Sequence, residues 1–228
     1  MTQSGEMPHP PTPSPEIKSV ISKEGEAILP SPENRSSFSG EGPGVRDEIE
    51  TMGSRIVYQN RWLRLREDQI RRSDGSEGIY SVVEKTDFVV IAAIDHGVIH
   101  MVEQYRYPVR QRGWELPQGS WEDQPGTDPD VLARAELREE TGLSAATMIH
   151  VGYLYLAYGF SSQGYHIYLA RGLTNGERDL DAEEAGLITR AFPLAEVDRM
   201  ILDGTIKDAT TVAALGLMRM KGLIGNER

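Results

Sequence analysis

The sequence predicts a mixed α+β domain in α/β/α layers, and three observations lead there. From Arg55 onward, short runs rich in β-branched and aromatic residues are separated by turn signals. One helical segment interrupts these runs in the middle of the chain, and two more follow near its end. The strands come in clusters before and after the middle helix instead of alternating with helices one for one, which argues against a doubly wound parallel sheet.

The elements follow in order. Residues 1–53, crowded with Pro, Ser, Gly and Glu, read as a flexible arm, and residues 54–224 as the folded domain. Ile56 to Arg66 reads as a strand, Ser73-Asp74-Gly75 as its turn, and Gly78 to Lys85 as the return. Phe88 to Ile94 is a nearly unbroken apolar run, expected to be buried. Asp95-His96-Gly97 turns the chain into Val98 to Tyr107. Further strands are expected at Ile149 to Tyr158, Tyr165 to Ala170 and Ile188 to Phe192, and helices at Pro129 to Thr141, Leu194 to Leu202 and Ala209 to Gly222.

Composition narrows the function. With 39% apolar residues among 228, the chain can bury a core, and its formal charge of −11 argues against a surface built to hold nucleic acid. The sequence has no cysteine, so disulfides, thiolate zinc sites and cysteine nucleophiles are excluded. No run approaches the roughly 18 apolar residues of a membrane span, and no signal-peptide order opens the chain. A soluble, cytoplasmic protein is the expectation, with neither nucleic acid nor membrane as a partner.

The middle helix carries the chemistry. Thr127-Asp128 before Pro129 supplies a cap and a proline at the first helical position, and Gly142 supplies the stop. Between them Glu136, Glu139 and Glu140 stand at i, i+3 and i+4, so three carboxylates share one face. Like charges so placed repel one another, and a hard divalent cation reverses the sign of that effect. A solvated acidic face is the plain alternative for the cluster taken by itself.

Its surroundings decide between the two. The segment GSWEDQPGTDPDVLARAELREETGL, from Gly119 to Leu143, resembles the Nudix box, matching it at Gly119, Glu136, Leu137, Glu139, Glu140, Gly142 and Leu143. Two positions depart: the loop after Gly119 is longer by two residues, leaving Thr127 where the pattern has its first Glu and Ala135 where it has Arg. The two are read as lost together, since removing one ion-pair partner strands the other. Arg134 and Arg138 are the candidate replacements.

The resemblance implies a Nudix-like α/β/α sandwich with a mixed sheet, and within the superfamily it points to the ADP-ribose pyrophosphatase group. Val102-Glu103-Gln104-Tyr105-Arg106-Tyr107-Pro108 and Trp114-Glu115-Leu116-Pro117 look like segments of that group. It implies hydrolysis of a nucleoside diphosphate sugar, ADP-ribose foremost, to AMP and ribose 5-phosphate with Mg²⁺ or Mn²⁺. The Gln118 carbonyl, Glu136 and Glu140 would hold the metal, and Glu139 would add a ligand or position water. Arg106 would meet a phosphate, with Glu115 in the same substrate-binding segment. Glu184 and Glu183, in the acidic stretch after Asp179, are the general-base candidates, Glu184 ranked first. Ser162, in the small-residue loop Ala157 to Gly164, and the aromatics Tyr105, Trp62 and Trp114 are candidates for sugar or base contacts. The loop lacks the Pro-Gly and Glu common in that group.

The box reads only the diphosphate, so a UDP- or GDP-linked hexose or a dinucleotide remains open, as does a silent ADP-ribose sensor. A homodimer whose N-terminal strands cross to the partner's site is implied by the resemblance alone.

Overall fold

The computed structural model describes residues 49–176 and 186–225. The chain forms a small antiparallel sheet followed by a mixed sheet with helices on both faces. β1 (Ile49–Gln59), β2 (Arg64–Arg72) and β3 (Glu77–Glu84) form the first, in that order. β1 thus begins inside the stretch read as the arm, whose residues 1–48 lie outside the described part.

The strand expected across Ile56 to Arg66 is two strands and a turn. Asn60 makes the turn: its side-chain oxygen accepts from the amides of Trp62 and Leu63, both at 2.9 Å, and its own amide donates to the Leu63 carbonyl at 3.0 Å. An Asx side chain offering the backbone this alternative breaks a run that composition alone reads as continuous.

The second sheet holds β4 (Phe88–Asp95), β5 (Val98–Arg106), β6 (Gln111–Glu115), β7 (Gln118–Gly119), β8 (Leu143–Tyr155), β9 (Gly164–Asn175) and β10 (Ile188–Pro193). Its main path runs β10-β5-β4-β9-β8, with β4 and β9 parallel and the other neighbours antiparallel. β4 is central, and its side chains divide by the strand period of two. Val90, Ala92 and Ile94 face one core, shared with Leu194 and Val197 of α2 (Leu194–Leu202) and Ala214, Leu215 and Met218 of α3 (Ala209–Met220). Val89, Ile91 and Ala93 face the other, under Leu132, Ala133 and Leu137 of α1 (Pro129–Thr141). The unbroken apolar run is explained by burial on both faces, and the α/β/α layering follows.

β6 and β7 have no counterpart in the sequence reading, and they shape the site. β4 and β5 pair only beside their turn, from Ala93–Asp95 against Val98–His100, and then part. Residues 111–119 fill the opening, β6 pairing with β5 and β7 with β4. The small sheet is tied to the loop before β9: Tyr80 donates to the Gly159 carbonyl at 2.6 Å, and the Val83 amide to that of Phe160 at 2.8 Å.

Candidate active site

α1 starts and stops where its local signals place it. Asp128 caps it by accepting from the Asp130 amide at 2.9 Å, Pro129 follows, and Gly142 ends it at φ 73° with its amide on the Arg138 carbonyl at 2.8 Å. The helix turns Leu132, Ala133 and Leu137 into the core and carries Glu136 and Glu140 along the edge of that face. Both carboxylates are buried, Glu136 at 5% exposure and Glu140 at 1%, while Glu139 is half-buried.

β7 lies over this pair. The Gln118 amide donates to Glu140 Oε2 at 3.1 Å. A Cβ built on Gly119 would fall on the Glu136 carboxylate, so a glycine there lets that carboxylate keep its place. Thr189 of β10 donates to the Glu140 backbone carbonyl at 3.0 Å, fixing the same turn of helix from the other side.

Arg106 ends β5 facing β6, and Glu115 holds it. Its Nε donates to Glu115 Oε2 at 3.1 Å and its Nη2 to Oε1, while Gln104 Nε2 also donates to Oε1 at 2.7 Å. Glu115 is 3% exposed. Burial pushes its carboxyl above the usual value, against the pull of Arg106. Arg106 keeps part of its side chain at the surface. It is therefore a guanidinium locked in direction by a buried carboxylate, not a loose surface arginine. Glu115, expected among the substrate contacts, accepts from both Arg106 and Gln104.

The other sequence candidates divide. Tyr105 is exposed on β5, and Trp62 is exposed in the Asn60 turn beside the Arg61 guanidinium. Trp114 is half-buried and packs edge-on against core residue Phe192. Ser162 is half-buried, its amide donating to the Val83 carbonyl at 3.2 Å. Glu183 and Glu184 lie outside the described residues. Arg134 donates to Asp130 at 2.7 Å and to the Ala145 carbonyl at 3.2 Å. The Thr127 hydroxyl closes its own loop on the Gln124 carbonyl at 2.9 Å. Gln104 lies in the Glu-Gln-aromatic-Arg segment, whereas Thr189 carries no sequence signal, since its partner is set by strand pairing.

A divalent metal fits what is present. Among the described residues no group of three acidic or histidine side chains is preformed as a cluster. Two buried carboxylates on one helix face offer hard oxygen donors, of which Mg²⁺ commonly takes one or two and completes its shell with water and substrate phosphate.

Comparison with known proteins places the chain in a family. The chain is 38% identical over 170 residues to the ADP-ribose pyrophosphatase of Mycobacterium tuberculosis, spanning 74% of this chain and 82% of that protein. The chain belongs to the ADP-ribose pyrophosphatase group of the Nudix hydrolases. In this Nudix hydrolase, residues 49–83, the small sheet but for its last residue, match the family described as the nucleoside diphosphate sugar hydrolase N-terminal domain. It is also 30% identical over 177 residues to the CMP-5'-(N-acetyl-N-hydroxy-3-aminopropyl)phosphonate hydrolase of Streptomyces rubellomurinus, over 76% of this chain and 82% of that one. A solved structure of an ADP compounds hydrolase, 22% identical, superposes with a TM-score of 0.68 over 77% of this chain and 96% of that chain, which supports the fold.

Proposed function

We propose that this hydrolase cleaves the diphosphate of ADP-ribose to AMP and ribose 5-phosphate, using Mg²⁺ or Mn²⁺. The observation that carries the reading is the pair Glu136 and Glu140, buried side by side on α1 against the backbone of Gln118 and Gly119. Water forms a bond to one phosphorus, the bridging P–O bond breaks, and one proton is released. A bound divalent ion would neutralise phosphate oxygens and acidify water. Glu136, Glu140 and the Gln118 carbonyl would hold it, with Glu139 as a further ligand or a water-positioning group. Arg106, aimed by Glu115, binds a phosphate oxygen. Tyr105, Trp62 and Ser162 contact the base and sugars, and Glu184 or Glu183 takes the proton from water.

Two copies pair through the small sheet, in this proposal. β1 leaves Met52, Ile56, Val57 and Tyr58 exposed, and Ile79 on β3 is 63% exposed, an apolar surface that a partner would cover. The cytoplasm is the proposed location, supported by the lack of cysteine; among the described residues no helix is long and apolar enough to cross a membrane.

A second reading, hydrolysis of another nucleotide conjugate, is favoured by the relative named for a CMP-linked phosphonate. A phosphatase-coupled panel of ADP-ribose, ADP-glucose, UDP-glucose, GDP-mannose, NADH and diadenosine polyphosphates with Mg²⁺ separates the two, with Glu140→Gln as control. ADP-ribose leading the panel supports the first reading, and a different leader supports the second. Binding of ADP-ribose without any turnover makes the protein a sensor and overturns both.

A further inference from the structure

The segment from Glu115 to Gly119 has three tasks: Glu115 aims Arg106, the Gln118 amide meets Glu140, and Gly119 leaves room for Glu136. It is short and crosses between two splayed strands. One side is fastened by β4, where the Ile91 amide donates to the Pro117 carbonyl at 2.9 Å and Val90 pairs with Gln118.

The other side is fastened from α3. The Leu116 amide donates to Thr211 Oγ1 at 2.9 Å, and the Thr211 hydroxyl donates in turn to Asp208 Oδ2 at 2.7 Å. The direction of both bonds is fixed, because an amide can only donate and a carboxylate can only accept. Asp208 also caps α3 by accepting from the Thr211 amide at 2.8 Å. That cap needs only a backbone N–H at position 211, which nearly any residue supplies, so capping leaves the hydroxyl unexplained. Thr211 is 0% exposed, and the Leu116 side chain is fully buried in the core beneath α3. A buried hydroxyl that receives an amide from a segment 95 residues away is a specific long-range tie.

We infer that Thr211, oriented by Asp208, is a positioning residue that sets where the Glu115–Gly119 segment lies and thereby aims both Arg106 and the Gln118–Glu140 contact. The inference rests on the proposed reaction for its kinetic consequence, but its structural half does not. Neither residue touches the reacting atoms. Their effect passes through the Leu116 amide.

The test compares Thr211→Val, which keeps the shape and removes the hydroxyl, with Thr211→Ser, which keeps the hydroxyl and removes a methyl. Two readouts are taken: ADP-ribose turnover with Mg²⁺, and backbone amide exchange at Leu116 and Gln118 by NMR on protein without metal or substrate. Turnover of Thr211→Val falls by roughly tenfold to a hundredfold, the scale of a site displaced by about 1 Å. Exchange at both amides accelerates, and Thr211→Ser restores wild-type behaviour in both readouts. If the valine variant does not fold, Thr211→Ala is compared with Thr211→Ser, from which it differs by one oxygen atom, and the same contrast is required. Wild-type turnover in the hydroxyl-free variant, unchanged exchange at Gln118, or equal loss in the serine variant overturns the inference. Should the wild type not hydrolyse ADP-ribose, the exchange contrast still decides whether the tie exists, so failure of the proposed reaction and failure of the tie are told apart.

Discussion

Replacing Gly119 by alanine adds one methyl group at the point where β7 crosses α1. The new Cβ would meet all three carboxylate atoms of Glu136, and the nearest lie well inside contact distance. Ordinary carbon–oxygen packing requires the carboxylate to retreat by about 1 Å or more. Glu136 is the end of a flexible chain, so it can move, but at 5% exposure it is confined. The two facts divide the outcome. The fold yields by the amount typical of mild overpacking, about 1 kcal/mol, which lowers Tm by roughly 2–4 °C for a chain of this size. The site loses far more, because displacing a donor by about 1 Å costs on the order of a hundredfold in rate. The assay is the initial rate of ADP-ribose hydrolysis against Mg²⁺ concentration, alongside a thermal melt. The expected result is a rate lower by about a hundredfold with a rightward shift in metal dependence, and a melt still cooperative. A variant with wild-type rate and metal dependence would refute the reasoning that Glu136 works from its place beneath Gly119.

Other perturbations separate the remaining parts. Glu140→Gln can still accept the Gln118 amide but loses its charge, so it should melt near the wild type and turn over at least about a hundredfold more slowly. Arg106→Ala leaves the buried Glu115 without its cation, so Tm falls and KM for ADP-ribose rises at least about tenfold; an unchanged KM would remove Arg106 from the phosphate site. His166 meets His150 at 3.1 Å, Nδ1 to Nε2, and burial followed by repulsion from His150 lowers its pKa below the usual 6.5. The unfolded chain therefore binds a proton first as pH falls through 6.5, so this contribution to stability is complete above 6.5 and is lost toward the lower folded value. Melts from pH 7.5 to 5 should show that loss, and His166→Gln should flatten it.

The parts of the fold that were legible in the sequence are those determined by neighbours along the chain. α1 announced itself through Asp128, Pro129 and Gly142, and β4 through its continuous apolar run. β6 and β7 did not, because Gln111-Arg112-Gly113 carries no strand pattern and its pairing comes from the parting of β4 and β5. The turn at Asn60 was hidden among strand-like residues, since one side-chain oxygen makes it. At the candidate site, the shared helix face of Glu136 and Glu140 was legible from helical spacing. That Glu115 bonds Arg106, and that Trp114 packs on Phe192, required knowing which strands are adjacent. The tie from Thr211 to Leu116 joins distant segments and leaves no local trace.

The central claim is metal-dependent hydrolysis of ADP-ribose by the α1 carboxylates, and its most direct test is identification of the products. Purified wild-type protein is incubated with ADP-ribose and Mg²⁺, with a chelator-treated sample beside it, and the mixture is separated and weighed by mass spectrometry. Equimolar AMP and ribose 5-phosphate are expected with Mg²⁺, and neither with the chelator. Intact ADP-ribose in both samples, or products formed equally well under chelation, would contradict it.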